Sequence, residues 1–459
     1  MLKTVFLVTL LACVITDVIA DYNIVCYYNR RATYRPEGGK FELFNINSSL
    51  CTHIIYNYVG ITNNSDIKIL DPWTDLPSGR DGFRKFIKLH ATNPDVKLMI
   101  AIGGWDEGSI NFSQVVGNSV SRAQFVENII NFLEIYNFDG LDLNWQFPNQ
   151  RGGKLSDKQN YVAVLQELKQ EFDKRNYTLS VTTVALEALA SHSYIISQVS
   201  QYVDFINLMT YDFHGSWDRT VGIHAPLYAS SNESGGKAKM NVNSSVQYWL
   251  SQGAPANKIN LGISSYGRSF TLSSRSHEIG AYATGGGNNG PYTQKSGFLG
   301  YNEICMYLQK GWTVVRESQQ HVPYAFKGNQ WVGYDDVTSI EEKAKYAKSM
   351  GLGGMMLWSL DTDDFHGTSG KMYPLLNTIN RVLTENTFST SSPSLLTTPF
   401  FDPICTHEGN IAHPYNCTIY YICRKVGNYY MKYSSHCLNG SVYNPVTETC
   451  DRRSNVPNC

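Results

Sequence analysis

Three polar side chains recur at every second position in the segment 139–148, which reads DGLDLNWQFP. If this segment is a β-strand, Asp142, Asn144 and Gln146 share one face, because successive side chains of a strand point to opposite sides. Burying such groups costs several kcal/mol unless they find hydrogen-bond partners. The row is therefore either a hydrogen-bonded structural network or part of an active site. Of its three members, only Asp142 can ionise.

Eight short apolar runs rich in β-formers, alternating with helical segments, are the elements that could position this row. A helix is predicted to begin at Ser121, where Gln124 completes a capping box, and another to span 161–174. This alternation predicts an α/β fold, a (β/α)8 TIM barrel, with the polar row pointing inward at the end of strand four. The eight runs are 23–28, 52–59, 97–104, 140–145, 179–184, 205–211, 260–266 and 353–359.

The connection between strands seven and eight is unusually long. It spans 86 residues between Tyr266 and Gly353, more than one helix and two loops require. This length predicts a small α+β insertion between strands seven and eight, at about 268–335.

Composition and net charge limit the classes of ligand that the protein is expected to bind. In 459 residues, 38 Lys and Arg balance 39 Asp and Glu, so the net charge is −1, which argues against nucleic acid or an anionic membrane surface as a partner. The 30 Tyr, 20 Phe and 8 Trp suit uncharged ligands with flat faces. No cofactor and no metal site are predicted, and we expect a monomer.

The first twenty residues predict a signal peptide, with Lys3, an apolar run at 5–15 and Ala20 before the cleavage point. The alternative, a membrane anchor, would need to cross roughly 30 Å of hydrocarbon, and eleven apolar residues are too few. We therefore expect a secreted, extracellular protein. Candidate glycosylation sequons lie at Asn47, Asn63, Asn111, Asn176, Asn232, Asn243, Asn416 and Asn439.

A Ser/Thr/Pro-rich linker at 386–402 is predicted to separate the barrel domain, 21–385, from a cysteine-dense domain at 403–459. So short a domain buries too little surface to fold without covalent cross-links, and we expect three disulfides in an oxidising compartment. Six cysteines allow 15 pairings, and the sequence does not choose among them. A zinc site using His407 or His436 is the competing interpretation. The six cysteines are Cys405, Cys417, Cys423, Cys437, Cys450 and Cys459.

Three cysteines lie in the barrel domain. Cys26 lies near the end of one predicted strand and Cys51 directly precedes the next, so we expect a disulfide between them. Cys305 is left without a partner, and we expect a buried free thiol, with an intermolecular disulfide as the alternative.

The polar row lies in a segment that resembles glycoside hydrolase family 18, the chitinases and chitinase-like lectins, whose strand-four motif is D-G-x-D-x-D-W-E-Y-P. The resemblance implies that the motif's final Glu protonates the leaving glycosidic oxygen while the preceding Asp orients the substrate's own acetamide. Gln146 and Asn144 occupy these positions, whereas Asp139 and Asp142 are retained. Similar segments are CYYNRRATYRP (26–36), IAIGGW (100–105), MTYDFHGSWD (209–218), GISSYGRSF (262–270) and GLGGMMLWSLDTDDF (351–365).

The resemblance also implies a sugar-binding cleft at the carboxyl ends of the strands, with Trp358 as the floor under the central sugar. Arg31 stands where the family commonly places a Trp that stacks on a distal sugar. Trp217 and Glu303 are further candidates for contact with the sugar. The implied substrate-binding residues are Tyr27, Trp105, Met209, Tyr211, Asp212, Tyr266, Arg268 and Trp358.

The cysteine-dense domain is similar to the chitin-binding type-2, or peritrophin-A, family. This resemblance implies the pairs Cys405–Cys423, Cys417–Cys459 and Cys437–Cys450. By family position, Tyr430, Tyr433 and Tyr443 are candidates for chitin contact.

A carboxamide has no proton to give at accessible pH, and general-acid catalysis contributes about 10²–10⁴-fold in rate. The sequence therefore predicts no catalytic residue and no enzyme, but a chitinase-like lectin that binds chitin or chitooligosaccharides and is similar to the group 18 allergens of house dust mites. One alternative is an active endochitinase that uses an unrecognised acid. Another is an interaction protein whose cleft binds no ligand and whose C-terminal domain alone tethers it to chitin.

Overall fold

Eight parallel strands close into a barrel in the first part of the chain, as the sequence predicted. Each strand pairs with the next one, and the last pairs with the first. The computed structural model describes residues 22–36, 38–385, 408–412, 417–426, 429–437 and 441–456. The barrel strands are β1 (Asn23–Asn29), β2 (His53–Ile61), β3 (Lys97–Gly103), β4 (Gly140–Asn144), β5 (Thr178–Val184), β6 (Phe205–Met209), β7 (Ile259–Ser264) and β8 (Gly354–Trp358).

Alternation along β4 and the residues after it divides the side chains as expected. Leu141, Leu143 and Trp145 are buried in the apolar layer between the barrel and its helices. Asp142 and Asn144 are fully buried on the other face, inside the barrel, where they cannot reach bulk water. The sequence pattern of period two therefore identified the inward row correctly.

Helices surround the barrel, but the two that the sequence outlined begin earlier than predicted. The first starts at Ser119, because the side chain of Asn118 caps it by accepting the amides of Val120 and Ser121 at 2.9 and 3.1 Å. The other starts at Asp157. The helices are α1 (Pro72–Asp75), α2 (Gly82–Ile87), α3 (Ile110–Val116), α4 (Ser119–Tyr136), α5 (Asp157–Asp173), α6 (Glu187–Ser193), α7 (Ile196–Val199), α8 (Val242–Ser251), α9 (Tyr301–Gln309), α10 (Val337–Ser349) and α11 (Pro374–Thr384). Among the helices described, none is both long and apolar enough to span a lipid bilayer.

The connection between β7 and β8 forms an antiparallel sheet together with helix α9. The sheet has its own small apolar core, in which Phe270, Tyr324 and Trp331 are buried. Its strands are Tyr266–Leu272, Ala283–Gly286, Phe298–Gly300, Thr313–Glu317, Val322–Lys327 and Gln330–Gly333.

Disulfide bonds occur in both parts of the chain, which separates into the units 1–386 and 387–459. Cys26 is bonded to Cys51, and Cys437 to Cys450, while Cys305 is a buried free thiol. Cys417 and Cys423 are also disulfide-bonded. Several predicted features lie outside the described residues: segments 1–20 and 386–402, Cys405 and Cys459, and the sequons at Asn416 and Asn439.

The second unit is built from short antiparallel strands. Gly409–Ala412, Ile419–Val426 and Tyr429–His436 form one sheet, and Val442–Asn444 pairs with Thr449–Asp451. Tyr443, a predicted ligand contact, is buried, and its ring stacks on Tyr420 at 4.8 Å between ring centroids. Tyr443 thus belongs to the small core, whereas the side chains of Tyr430 and Tyr433 lie outside the described part of the chain.

Candidate active site

Asp142 lies at the centre of a buried hydrogen-bond network inside the barrel. Its carboxylate accepts from the hydroxyls of Tyr27 at 2.6 Å and Ser180 at 2.7 Å. Thr182 donates to both carboxylate oxygens at 3.1 and 3.0 Å, and the Asn207 amide lies at 3.5 Å. Burial raises the pKa of Asp142, and these hydrogen bonds act against that rise. The carboxylate therefore anchors its neighbours in place below the mouth of the barrel.

The next two members of the row are bonded to each other. The Gln146 Nε2 donates to Asn144 Oδ1 at 2.8 Å and lies 3.8 Å from the Met209 sulfur. Asn144 in turn donates to the Tyr58 hydroxyl at 3.3 Å. Gln146 retains 8% exposure, so its side chain is the member of the row that reaches the mouth. Neither carboxamide can give a proton to a leaving group.

A layer of aromatic rings supports Trp358 at the end of β8. The Trp358 ring centroid lies 4.8 Å from that of Tyr27 and 5.8 Å from that of Tyr58, which is stacked at an interplanar angle of 22°. Trp358 itself is half-buried, whereas Tyr27 has no exposed surface. Tyr27 was predicted to bind the ligand, but it lies beneath the floor and holds Trp358 and Asp142.

A bidentate ion pair forms one wall of the mouth. Arg268 donates from Nε and Nη2 to the two oxygens of Asp212, at 2.7 and 2.5 Å. Burial alone would raise the pKa of Asp212, but the adjacent Arg268 guanidinium holds it well below its usual range. Tyr266 is buried against Phe298, with 4.4 Å between ring centroids, and supports this wall from behind. Tyr211 is also nearly buried, at 7% exposure.

His224 lies behind Asp212 and is fully buried. Its Nδ1 is 3.6 Å from the Asp212 carboxylate, and neither ring nitrogen has a hydrogen-bond partner among the residues that the structure describes. Burial lowers the pKa of His224, which favours the neutral form of the ring. The charge pair of this wall is therefore that of Asp212 and Arg268.

Trp105 reaches the rim of the mouth because two glycines let the chain turn at the end of β3. Gly103 and Gly104 both have positive φ, 110° and 86°, and a Cβ on Gly104 would lie 2.7 Å from the Tyr58 ring. The chain thus passes directly over Tyr58. Trp105 is left 59% exposed, so it can stack on a ligand.

Arg31 pairs across the rim with the residue after Trp105. Its Nη1 donates to Asp106 at 2.8 Å, and both side chains are well exposed. Beside Arg31 is a cavity of about 270 Å³. Its lining residues are Asn29, Arg31, Tyr34, Arg35, Pro36, Tyr292, Thr293 and Gln294.

Of three further candidates from the sequence, Asp139 and Glu303 lie away from the mouth and Trp217 lies beside it. Asp139 lies at the opposite end of β4, where it accepts the Leu98 amide at 2.6 Å. Glu303 is fully buried and accepts the main-chain amides of 292, 293 and 300 at 2.6, 2.8 and 2.7 Å, so it fixes a loop of the insertion. Trp217 is 58% exposed, with the Arg268 guanidinium 5.2 Å from its ring centre, and so remains beside the mouth.

Sequence reasoning missed two side chains in the described site, Tyr58 and Arg151. Tyr58 lies at the end of a barrel strand, and its aromatic character was a usable signal. The period-two pattern fails there because the pairing of β2 with β3 shifts register between Tyr56 and Val59. Arg151 is on a loop, where no periodicity exists to mark it.

Comparison with known proteins gives two family matches. The family described as Glycosyl hydrolases family 18 matches residues 23–363, and the Chitin binding Peritrophin-A domain matches 405–459. A protein named endochitinase from Manduca sexta is 38% identical over 377 residues, which cover 79% of this chain and 68% of the relative. The Ostrinia furnacalis Group IV chitinase, solved in complex with allosamidin, is 43% identical with a TM-score of 0.77, covering 79% of this chain and 99% of that one. Human YKL-39, described as a pseudo-chitinase with retained chitooligosaccharide binding, is 38% identical with a TM-score of 0.74, covering 79% and 100%.

These matches contradict the prediction that the chain is not an enzyme, because relatives that it matches over most of the barrel are named chitinases. The prediction rested on Gln146 and Asn144 alone. Neither of these two side chains can give a proton to the leaving group, but their presence does not exclude another proton donor. The fold and the matched residues together place the chain in glycosyl hydrolase family 18, with a C-terminal peritrophin-A chitin-binding domain.

Proposed function

We propose that the mouth of the barrel binds oligosaccharides of β-1,4-linked N-acetylglucosamine. The observation that carries this proposal is the half-buried Trp358, supported from below by Tyr27 and Tyr58. A supported indole suits the apolar face of a pyranose ring. The Asp212–Arg268 pair beside it offers both acceptors and donors for hydroxyl and acetamide groups.

Two related structures support this ligand class. One chitinase was solved with allosamidin, and YKL-39 is described as retaining chitooligosaccharide binding. We propose the same class for this chain, because the residues that form its floor and wall are uncharged aromatics and one compensated ion pair. Such a mouth favours a neutral ligand over an anionic one.

The C-terminal domain is proposed to hold the protein on polymeric chitin. The match to a chitin-binding domain supports this role. Two binding sites on one chain raise the apparent affinity for a polymer through effective concentration rather than through new contacts. An extracellular location, expected from the predicted signal peptide, is part of the same proposal.

Titration of the full chain with chitotetraose by calorimetry tests the barrel site. Trp358→Ala is expected to weaken binding at least tenfold, since it removes the aromatic floor. Trp312→Ala is the matched control, because Trp312 is partly buried against Tyr307 in the insertion. Equal affinity of the wild type and Trp358→Ala would place the oligosaccharide elsewhere, and no binding at all would remove the proposal.

Hydrolysis of chitin is the second candidate function, and the names of the relatives favour it. With a carboxamide at Gln146, the proton must come from another group or from a bound water. Release of chromophore from a chitotriose conjugate measures this activity directly. A rate above that of a heat-denatured sample, and lost in Trp358→Ala, would establish hydrolysis at the barrel mouth. A rate equal to the denatured sample would remove this second candidate and leave the binding proposal in place.

A further inference from the structure

Arg151 joins two parts of the rim through a single guanidinium group. Its Cζ lies 3.8 Å from the centre of the Trp105 ring, so the guanidinium covers one face of the indole. Its Nη1 also donates to the main-chain oxygens of Trp105 at 2.7 Å and Gln146 at 2.9 Å. Trp105 follows β3 and Gln146 follows β4, so this side chain couples the exposed aromatic residue to the polar row.

The loop that carries Arg151 is held firmly. The amide of Gly153 donates to the Gln150 oxygen at 2.9 Å, which closes a turn around Arg151. The Gln150 side chain donates to the Ser193 hydroxyl at 2.6 Å, and the Asn149 side chain to the oxygen of residue 192 at 3.1 Å. Arg151 itself has a left-handed φ of 51°, a conformation that is uncommon for residues other than glycine. The guanidinium is therefore presented from an anchored turn.

Arg151 acts through stacking and hydrogen bonds rather than through an ion pair. Among the described residues, no carboxylate pairs with its guanidinium. Its Nη1 group donates to two carbonyl oxygens, while the planar face of the guanidinium stacks on the indole. A guanidinium can stack and donate at the same time, whereas a lysine ammonium offers a point charge without a flat face.

We infer that Arg151 is a positioning residue for oligosaccharide binding, which holds Trp105 by one face and leaves the other face for a sugar ring. This inference rests on the proposed function of the barrel mouth. Fixing the indole before the ligand arrives reduces the ordering cost of binding. The two carbonyl contacts also set the distance between Trp105 and the Gln146 segment, so a sugar on Trp105 and a group at Gln146 are held in a defined relation.

Arg151→Asn is the variant that tests the inference, because asparagine tolerates the left-handed backbone better than alanine does. We expect about five- to tenfold weaker binding of chitotetraose, the order expected from losing a cation–π contact and its hydrogen bonds. Arg151→Lys keeps the charge and is expected to recover only part of the affinity. Arg175→Asn is the matched control, since Arg175 lies near the start of β5, at the opposite end of the barrel.

A second measurement reports on Trp105 without a ligand. Acrylamide quenching of Trp105 fluorescence, obtained as the difference from a Trp105→Phe background, is expected to increase in Arg151→Asn and to stay unchanged in Arg175→Asn. Unchanged quenching and unchanged chitotetraose affinity would overturn the role of Arg151, as would tighter binding, which would mean that the arginine obstructs the indole. Absence of chitotetraose binding by the wild-type chain is the separate result that would overturn the proposed function, and this inference with it.

Discussion

The side chain of Gln146 donates from Nε2 to Oδ1 of Asn144 at 2.8 Å, so the two carboxamides are hydrogen-bonded to each other inside the mouth. The onward bond from Asn144 to Tyr58, at 3.3 Å, extends the chain of contacts to the layer that supports Trp358. A carboxyl pair of the same size could occupy these positions while sharing one proton. The geometry needed for acid chemistry is therefore present at these two residues, and the ionisable groups are not.

Replacing both carboxamides, with Gln146→Glu and Asn144→Asp, is expected to increase the release of chromophore from a chitotriose conjugate at least 100-fold over the wild-type chain. The new Glu would be nearly buried beside a second carboxylate, and both conditions favour its protonated form near neutral pH. Gln146→Glu alone is the control, and a smaller increase is expected because the neighbouring amide remains. Equal rates in the double variant and the wild type would mean that the mouth does not place a glycosidic oxygen near residue 146.

The Arg31–Asp106 pair is expected to limit binding of longer oligosaccharides. It lies on the rim with 64% and 71% of the two side chains exposed, and such pairs contribute only about 0–1 kcal/mol. Arg31→Trp would replace the charged group with a flat face, and we expect the ratio of chitohexaose to chitotriose affinity to rise about three- to tenfold. Lys239→Trp, at another exposed ion pair with Glu187, controls for an added surface indole. An unchanged ratio in Arg31→Trp would show that sugars do not extend over this part of the rim.

Much of the barrel could be read from the sequence, because its signals are local. Alternation along β4 set the inward row, and the recurrence of β-rich runs set the number of strands. The start of α4 was misplaced because two plausible caps, Asn118 and Ser121, lie three residues apart, and the sequence alone does not show which side chain folds back on the amides.

The rest of the site depends on contacts between loops that are distant in sequence. Tyr58 meets Asn144 across 86 residues, and Arg151 meets Trp105 across 46. Register shifts and turns decide such meetings, and neither leaves a periodic pattern. Tyr27 shows the complementary error, since its place at a strand end was read correctly but its full burial was not.

Asp363 is expected to make the folded chain less stable as pH rises. Burial raises its pKa from 3.8 to about 7, while the amides of 364, 375 and 376 oppose the rise. The unfolded carboxyl loses its proton near pH 4, so between about pH 4 and 7 the folded state holds more protons than the unfolded state, and stability falls over that window. This difference corresponds to about 4 kcal/mol at most.

Asp363→Asn removes this titration, and thermal unfolding midpoints measured at intervals from pH 4.5 to 7.5 test it. We expect the fall in midpoint between about pH 5 and 7 to be smaller in the variant than in the wild type. Asp173→Asn, at an exposed carboxylate, is the control and should follow the wild-type profile. Parallel profiles for Asp363→Asn and the wild type would contradict the prediction.

Lys343 forms a buried ion pair that ties α10 to the end of the insertion. Its Nζ donates to both oxygens of Asp335 at 2.6 and 2.7 Å and to the Ala225 oxygen at 2.6 Å, and both charged side chains are almost fully buried. Lys343→Met would strand an unpaired buried carboxylate, and we expect the free energy of unfolding in urea to fall by about 3–5 kcal/mol. Lys345→Met, on the same helix but exposed and paired with Glu341, should change it by less than about 1 kcal/mol. Adding Asp335→Asn to Lys343→Met is expected to recover much of the loss, because the unpaired charge is then gone; an equal loss in both variants would mean that packing of the lysine stem, rather than its charge, holds α10 in place.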